Sequence, residues 1–207
     1  VAAITPWNSP IASEAQKVAP ALAAGNAVVI KPAEATPLLA LELAAICEEA
    51  GVPKGLVSVL PGRGSVIGDA ITKHPLVKRV SFTGGTESGR RIAVTAAQKL
   101  MPVALELGGK SPHILFADCD IKAAVASVSG GIFEGTGQSC VAGSRLFVQR
   151  SCYQAVVAKV VNLLARLGYV RSIRGIGGGM AGIAMVTAIV SVLTGIPVRK
   201  EIAMTGK

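Results

Sequence analysis

The chain has 207 residues, of which 51% are hydrophobic and only 3% aromatic, and it carries a formal net charge of +9. This length allows one large domain or two small ones. The apolar residues are mainly Ala, Val, Ile and Leu, which favours an α/β core over an all-β core. The chain opens on apolar residues with no basic segment before them, so we expect no signal peptide.

The cysteines and histidines argue against a metal site. There are four cysteines and two histidines, and no two cysteines form a C-x-x-C pair. A zinc site is therefore not expected, and a chain with this much core has no need of a disulfide framework. We therefore expect a reducing compartment and a cytoplasmic location.

The positive charge is concentrated in the last third of the chain. Residues 1–144 have a balance of +1, whereas residues 145–207 have a balance of +8. A basic segment can bind nucleic acid, but here no aromatic residues are interleaved with the charges. We therefore expect no nucleic-acid partner and interpret the change as the junction of two segments of different origin.

The first 107 residues alternate short apolar runs with longer helical patterns. The predicted strands lie at 1–5, 27–31, 56–60, 77–84 and 102–107, and the predicted helices at 12–24, 36–50 and 86–98. Such alternation is typical of βαβ units, and it predicts an α/β fold with a parallel sheet and helices on both faces.

The same pattern continues to about residue 160 and then stops. Strands are predicted at 112–117 and 144–149, with helices near 120–133 and from about 152. We therefore expect domains at 1–105 and 106–160, the second being the start of another α/β domain, and a tail at 161–207. The tail lacks charge between Arg174 and Arg199, but its glycines and Pro197 leave an apolar helix of about 15 residues, which favours a buried helix over a membrane span.

Two stretches carry candidate catalytic residues. In "FEGTGQSCVAGSR", small neighbours leave the sulfur of Cys140 accessible and backbone N–H groups free for an oxyanion, although a buried structural thiol fits the composition as well. In "LELGGKS", Glu106 lies at the end of an apolar strand; a half-buried carboxyl with a raised pKa would suit a general base, and a capping or ion-paired glutamate is the alternative.

Three further stretches follow predicted strands. "SFTGGTESG" is a strand, glycine turn and helix that offers a helix N-terminus to a pyrophosphate. "VIKPAE" places Lys31 and Glu34 where they could bind ribose hydroxyls, the alternative being a solvated helix start. "PWNSP" offers the amide of Asn8, which could equally be a turn residue between prolines.

Together these five stretches, in this order, resemble the aldehyde dehydrogenase superfamily over about residues 1–160. The resemblance implies a Rossmann-like NAD-binding domain at 1–105, a catalytic domain at 106–160, oxidation of a small-molecule aldehyde, and a homo-oligomer. It also implies NAD as cofactor, with NADP possible. The family's downstream Glu-x-Phe-Gly-Pro stretch is not in the sequence, so we expect weak or no activity from this chain alone.

The resemblance assigns roles by position. Cys140 would be the nucleophile, Glu106 the base that activates water, and Asn8 an oxyanion donor. The adenosine ribose would be held by Lys31 and Glu34. The remaining cofactor-binding positions are Thr83, Gly84, Gly85, Gly89 and Leu107. Gly85 stands where a serine is common in the family, and no metal ligand is implied.

The tail at about 176–207 instead resembles the proteolytic domain of Lon proteases. Met180 occupies the position of that family's catalytic serine, and a thioether cannot act as an acyl nucleophile. Gly177, Gly179 and Gly182 also spell G-x-G-x-x-G, but a lone fingerprint without a βαβ unit is weak. The alternatives to an aldehyde dehydrogenase are therefore a non-catalytic remnant that binds NAD or a partner, and, less favoured, a Lon-type peptidase fragment.

Overall fold

The computed structural model describes residues 1–168. They fall into two compact units that divide between Gly108 and Gly109. The functional labels given to the segments 1–105 and 106–160 stay predictions, and every expectation for the Lon-like stretch at about 176–207 lies outside the described residues. No helix within residues 1–168 is long and apolar enough to cross a membrane.

The first unit is built on a five-stranded sheet in which every paired neighbour is parallel. Its order is β3-β2-β1-β4-β5. The strands are β1 (Ala2–Ile4), β2 (Val28–Lys31), β3 (Val57–Val59), β4 (Val80–Thr83) and β5 (Val103–Glu106). The predicted parallel α/β fold is confirmed, and the order matches the first five strands of the doubly wound dinucleotide-binding sheet, whose order is 3-2-1-4-5-6.

The helices of this unit cover both faces of the sheet. They are α1 (Pro10–Ala23), α2 (Leu38–Glu49), α3 (Asp69–Lys73), which follows a π-helical turn at Gly64–Gly68, and α4 (Thr86–Gln98). Ala3 packs with residues of α1 and α2 in one core, whereas Ala2 and Ile4 pack with residues of α3 and α4 in another. The alternation of side chains along β1 thus places one pair of helices on each face.

The second unit contains a parallel pair of strands joined by a helix. The elements are β6 (Pro112–Leu115), α5 (Ile121–Phe133), β7 (Arg145–Val148) and α6 (Tyr153–Arg166). Helix α5 begins where Asp120 accepts hydrogen bonds from the backbone N–H groups of Lys122 and Ala123. An N-cap carboxylate satisfies donors that the first helical turn leaves open. The strands and helices share an apolar core around Val156 and Leu164.

The structure contains a helical segment in the first unit that the sequence pattern did not predict. Residues 64–73 form the π-helical turn and α3, soon after the predicted strand at 56–60. Ile71 and Thr72 are buried there, so tertiary packing outweighs the weak local propensity of Gly64 and Gly68.

Candidate active site

The candidate site residues of the first unit follow the carboxyl ends of its strands. Asn8 comes after β1, Lys31 ends β2 with Glu34 just beyond it, Gly84 follows β4, and Glu106 ends β5. The strand order reverses between β1 and β4. In open parallel sheets, ligands bind outside the carboxyl ends of the strands at such a reversal.

Asn8 is exposed in the bend between β1 and α1. Helix α1 starts at Pro10, and its N-cap residue Ser9 makes no side-chain capping hydrogen bond. Proline at the first helical position fixes the backbone and has no N–H to satisfy, which explains why the helix begins there. Asn8 is thus a turn residue between two prolines and an exposed amide at once.

Lys31 and Glu34 are electrostatic neighbours in different surroundings. Lys31 is only 5% exposed and its Nζ donates to the carbonyl oxygen of Pro32 at 2.9 Å. Burial lowers the pKa of Lys31, and the Glu34 carboxylate opposes this shift in part. Glu34 is exposed in a turn ahead of α2, so it is not the helix start considered above, and its Oε1 accepts from the N–H of Gly64 at 2.8 Å.

Two glycines pack closely against side chains here, Gly84 in the turn after β4 and Gly89 in the first half of α4. A Cβ on Gly84 would lie 2.6 Å from Cζ of Phe82, and one on Gly89 would lie 2.6 Å from Cδ2 of Leu107. Gly85, the N-cap of α4, has nothing within 4 Å of the place where a Cβ would stand. The 13-residue helix α4 therefore begins beside open space, as a pyrophosphate at its N-terminus would require.

These features fit a dinucleotide. The reversal point of the sheet, the open helix N-terminus and an exposed carboxylate anchored beyond β2 are the groups that such a ligand needs. Thr83 belongs to the same edge as the last residue of β4, and Leu107 packs against Gly89. No group of His, Cys, Asp and Glu within residues 1–168 could hold a metal ion.

Glu106 is exposed, so the expectation of a half-buried carboxyl is wrong. β5 is the last strand in the sheet order, and Glu106 is its final residue. A side chain at the end of an edge strand has neighbours on fewer sides than one in the middle of a sheet. The local sequence, a glutamate between leucines, does not reveal that position.

Lys17 is a site residue that the sequence analysis missed. It lies on α1, its Nζ donates to Oγ of Ser81 on β4 at 3.1 Å, and it is coupled electrostatically to Glu106. Burial lowers the pKa of Lys17, and the Glu106 carboxylate opposes this by favouring the ammonium form. A lysine spaced three and four residues from buried Glu14 and Ser13 marks the inward helix face, which is the signal that could have identified it.

In the second unit, Cys140 is the exposed member of four free cysteines. Cys47 and Cys119 are half-buried, and Cys152 is buried with its Sγ 3.4 Å from the carbonyl oxygen of Gln149. The alternative of a buried structural thiol is therefore wrong for Cys140, while Cys152 fits it.

The turn that carries Cys140 is shaped by a left-handed run of backbone. Gly135, Thr136 and Gly137 all have positive φ, between 58° and 73°. A threonine in this left-handed region is conformationally strained, and the Thr136 hydroxyl accepts a hydrogen bond from the side-chain amide of Gln138. This run ends α5 sharply and turns the chain toward Cys140.

Glycines hold the Cys140 turn against its surroundings. A Cβ on Gly109 would overlap the carbonyl oxygen of Cys140, so the "LELGGKS" and cysteine stretches touch backbone to backbone. A Cβ on Gly143 would overlap the ring of His113, whose buried Nε2 has no hydrogen-bond partner within the described range. Neither the position of His113 beside this turn nor the contact of Gly109 with Cys140 could be read from the local sequence.

Comparison with known proteins gives a consistent result. The model of the aldehyde dehydrogenase family matches residues 1–173. The phenylacetaldehyde dehydrogenase of Pseudomonas fluorescens is 52% identical over 160 residues, covering 77% of this chain and 32% of that protein. The chain thus spans about a third of the length of the curated relatives it matches.

Solved structures agree with the sequence relatives. The NAD-dependent aldehyde dehydrogenase from Sinorhizobium meliloti superposes with a TM-score of 0.77 at 38% identity, covering 80% of this chain and 33% of that one. An NADP dependent enzyme of E. coli superposes with a TM-score of 0.77 at 43% identity, covering 80% and 34%.

The tail matches a second family over a short range. The model of the Lon protease (S16) C-terminal proteolytic domain matches residues 176–207, which are far less than half of the chain and lie outside the described residues. The match over residues 1–173, with the fold and the relatives above, establishes the family: the chain belongs to the aldehyde dehydrogenase family.

Proposed function

We propose that this chain carries the nucleophile, the base and part of the cofactor site of an NAD(P)-dependent aldehyde oxidation. The observation that carries the proposal is the exposed thiol of Cys140, in a turn that packs directly on Gly109 of the "LELGGKS" stretch. A nucleophile needs an accessible sulfur in a fixed backbone setting, and this turn provides both.

In the first half-reaction, the Cys140 thiolate attacks the carbonyl carbon of the aldehyde. The C–S bond forms as the carbonyl π electrons move to oxygen, and the Asn8 amide and the Cys140 backbone N–H donate hydrogen bonds to that oxyanion. The C–H bond then breaks with its electron pair, which leaves a thioester on Cys140. NAD, when bound, supplies the acceptor for this hydride.

In the second half-reaction, Glu106 takes a proton from water, whose oxygen attacks the thioester carbon. The C–S bond breaks, the carboxylic acid is released, and Cys140 regains its thiolate. Exposure of Glu106 gives it access to water. Lys17 lies close enough to interact electrostatically with the Glu106 carboxylate, and we assign to it the role of holding an ammonium group beside the base.

The cofactor preference is proposed to be NAD over NADP. Glu34 is an exposed carboxylate that the N–H of Gly64 holds in place, and a carboxylate accepts hydrogen bonds from ribose hydroxyls. A 2′-phosphate would face the negative charge of Glu34. Glu34→Gln is expected to narrow the ratio of Kd for NADP to Kd for NAD by roughly tenfold, as loss of one charge repulsion of about 1.4 kcal/mol would do.

The substrate is proposed to be a small-molecule aldehyde, handled by a homo-oligomer in the cytoplasm. One relative is named for its action on phenylacetaldehyde, which therefore serves as the first aldehyde to test. The location is supported by the four free cysteines, because a reducing compartment keeps thiols unpaired.

The test begins with the reactivity of the thiols. Iodoacetamide labelling is followed at each cysteine by mass spectrometry, in the native chain and in the chain unfolded in urea. Cys140 should react faster in the native chain than in the unfolded chain, whereas Cys152 should be protected. A Cys140 rate equal to or below its unfolded rate would contradict the assignment of the nucleophile.

Turnover is measured separately, as NADH absorbance with phenylacetaldehyde and with short aliphatic aldehydes. Cys140→Ser and Glu106→Gln serve as matched variants. Loss of the signal in both supports the proposed reaction. A flat trace for the unaltered chain, with NAD binding shown by calorimetry, would instead favour a cofactor-binding remnant.

A further inference from the structure

A carboxyl group lies fully buried beneath the carboxyl edge of the first unit. Glu14 is 0% exposed, on the inward face of α1, where Ser13 and Val18 are the other buried residues. Burial raises the pKa of its side chain, and the hydrogen bond from Thr5 opposes that shift in part. Burying a carboxyl without full hydrogen bonding costs stability, so an apolar side chain of similar size at this position would leave the fold more stable.

Within the described residues, the hydrogen-bond partner of this carboxyl is Thr5, which precedes the bend that carries Asn8. The hydroxyl of Thr5 donates to Oε1 of Glu14 at 3.3 Å, while Oε2 has no partner among the described residues. Thr5 is the residue directly after β1 and is itself only 4% exposed. Its backbone N–H also donates to the carbonyl oxygen of Lys31 at 3.1 Å, so Thr5 is fixed both to β2 and to α1.

This pair secures a part of the molecule that the apolar core does not. The core on this face of the sheet is formed from α1 by Val18, Ala21 and Leu22, all in the second half of the helix. The first half of α1, next to the bend that carries Asn8, is tied to the sheet through Glu14. Only Pro6 and Trp7 separate Thr5 from Asn8, so a restraint on Thr5 has a short path to the bend.

We propose that Glu14 is a positioning residue that acts through Thr5 on the bend between β1 and α1, and so fixes the amide of Asn8. The catalytic consequence rests on the proposed function, in which Asn8 donates to the oxyanion. The restraint on the bend does not depend on the proposed function, because it involves residues of the first unit alone.

The proposal distinguishes three variants. Thr5→Val removes the donor while keeping the shape of the side chain, and Glu14→Met removes the acceptor. Glu14→Gln keeps an oxygen that can accept from Thr5 and serves as the conservative control. If the Glu14→Met variant fails to fold, the result with Thr5→Val decides whether the proposal stands.

The first measurement is the NMR order parameter of the Asn8 backbone N–H, with the amides of α4 as internal reference. Thr5→Val and Glu14→Met should lower it from about 0.85 to below about 0.6, with α4 unchanged, and Glu14→Gln should leave it as it was. An unchanged order parameter in folded Thr5→Val overturns the proposal, as does an equal loss of order in α4. This readout needs no turnover, so it decides the proposal even if the chain oxidises no aldehyde.

Where turnover is measured, the second readout is the effect of Thr5→Val on kcat, determined both in the unaltered chain and in the Asn8→Ala variant. Thr5→Val should lower kcat about tenfold to 100-fold, with KM for NAD within about twofold. In the Asn8→Ala background the same change should alter kcat less than about twofold, because a residue that acts through Asn8 has nothing left to position. Equal losses in both backgrounds would show a general structural role and overturn the proposal.

Discussion

Replacing Gly109 by alanine tests the contact between the two stretches that carry the proposed catalytic groups. A Cβ on Gly109 would overlap the carbonyl oxygen of Cys140 and lie 3.2 Å from its carbonyl carbon. These are backbone atoms, so no side-chain rotation can relieve the overlap, and the Cys140 turn must move by about 1 Å. The neighbouring Gly108 has nothing within 4 Å of its own Cβ position and provides the matched control.

The size of the effect follows from that geometry. Forcing an extra methyl group into a packed site costs about 1–3 kcal/mol, which for a chain of this size lowers the melting temperature by about 2–4 °C per kcal/mol. A displacement of about 1 Å of a nucleophile costs on the order of 100-fold in rate. Gly108→Ala should instead be neutral or stabilise by about 0.5 kcal/mol, because it only restricts the unfolded chain.

The assays are thermal unfolding by circular dichroism and aldehyde turnover, run side by side on the two variants. Gly109→Ala should melt several degrees lower and lose most of its turnover, while Gly108→Ala should do neither. If both variants melt within 1 °C of each other, about the resolution of a 0.5 kcal/mol difference, the close packing of Gly109 on the Cys140 turn is refuted.

Three further substitutions probe other parts of the fold. Gly89→Ala places a Cβ 2.6 Å from Leu107 and should cost about 1–3 kcal/mol in urea unfolding. Gly143→Ala overlaps the ring of His113 and should both lower the melting temperature and shift the His113 imidazole resonances. Burial raises the pKa of Glu14 above its ordinary 4.5, so the stability of the unaltered chain falls as the pH rises from 4.5 through the raised pKa. Glu14→Gln cannot ionise, so it should raise the melting temperature at pH 7 and lose that advantage below pH 4.5.

The controls for these three are specific. Gly130→Ala in α5 meets nothing within 4 Å and should stabilise its helix by about 1 kcal/mol, so a loss there would mean that alanine is poorly tolerated in general. An unchanged His113 spectrum would contradict the contact with Gly143. A Glu14→Gln advantage that persists at pH 3 would show that it does not arise from ionisation.

The sequence was sufficient for the elements whose signals are local. Helix α4 runs from Thr86 to Gln98, as the pattern between two glycines and the next strand predicted. Helix α1 begins two residues earlier than predicted, because Pro10 is compatible with the first helical turn. The helix at 64–73 was missed because its stability comes from burial of Ile71 and Thr72 rather than from propensity.

The site residues divide along the same line. Cys140 was a candidate because its small neighbours leave room around the sulfur, although the same stretch fitted a buried thiol, and Glu34 was a candidate because it follows a predicted strand end. The burial of Glu106 was mispredicted because it depends on the place of β5 in the sheet order, which local spacing does not contain. Lys17 and Glu14 were missed because a helix pattern shows which residues share a face, but not which strand end that face covers.

The placement of Cys140 also follows from topology. In a parallel βαβ unit, the strands start at the same edge, so the segments ahead of β6 and β7 come together. Gly109 precedes β6 and Cys140 precedes β7, and the N–H of Arg145 donates to the carbonyl oxygen of Ser111 where the two strands begin. Cys140, the proposed nucleophile, therefore lies at the amino edge of its own strand pair, the opposite edge from the one that α/β sheets usually present to ligands. Two motifs about 30 residues apart are adjacent because one helix crosses between two parallel strands, and so any insertion that shifts the start of β6 should disturb the thiol as surely as a change beside it.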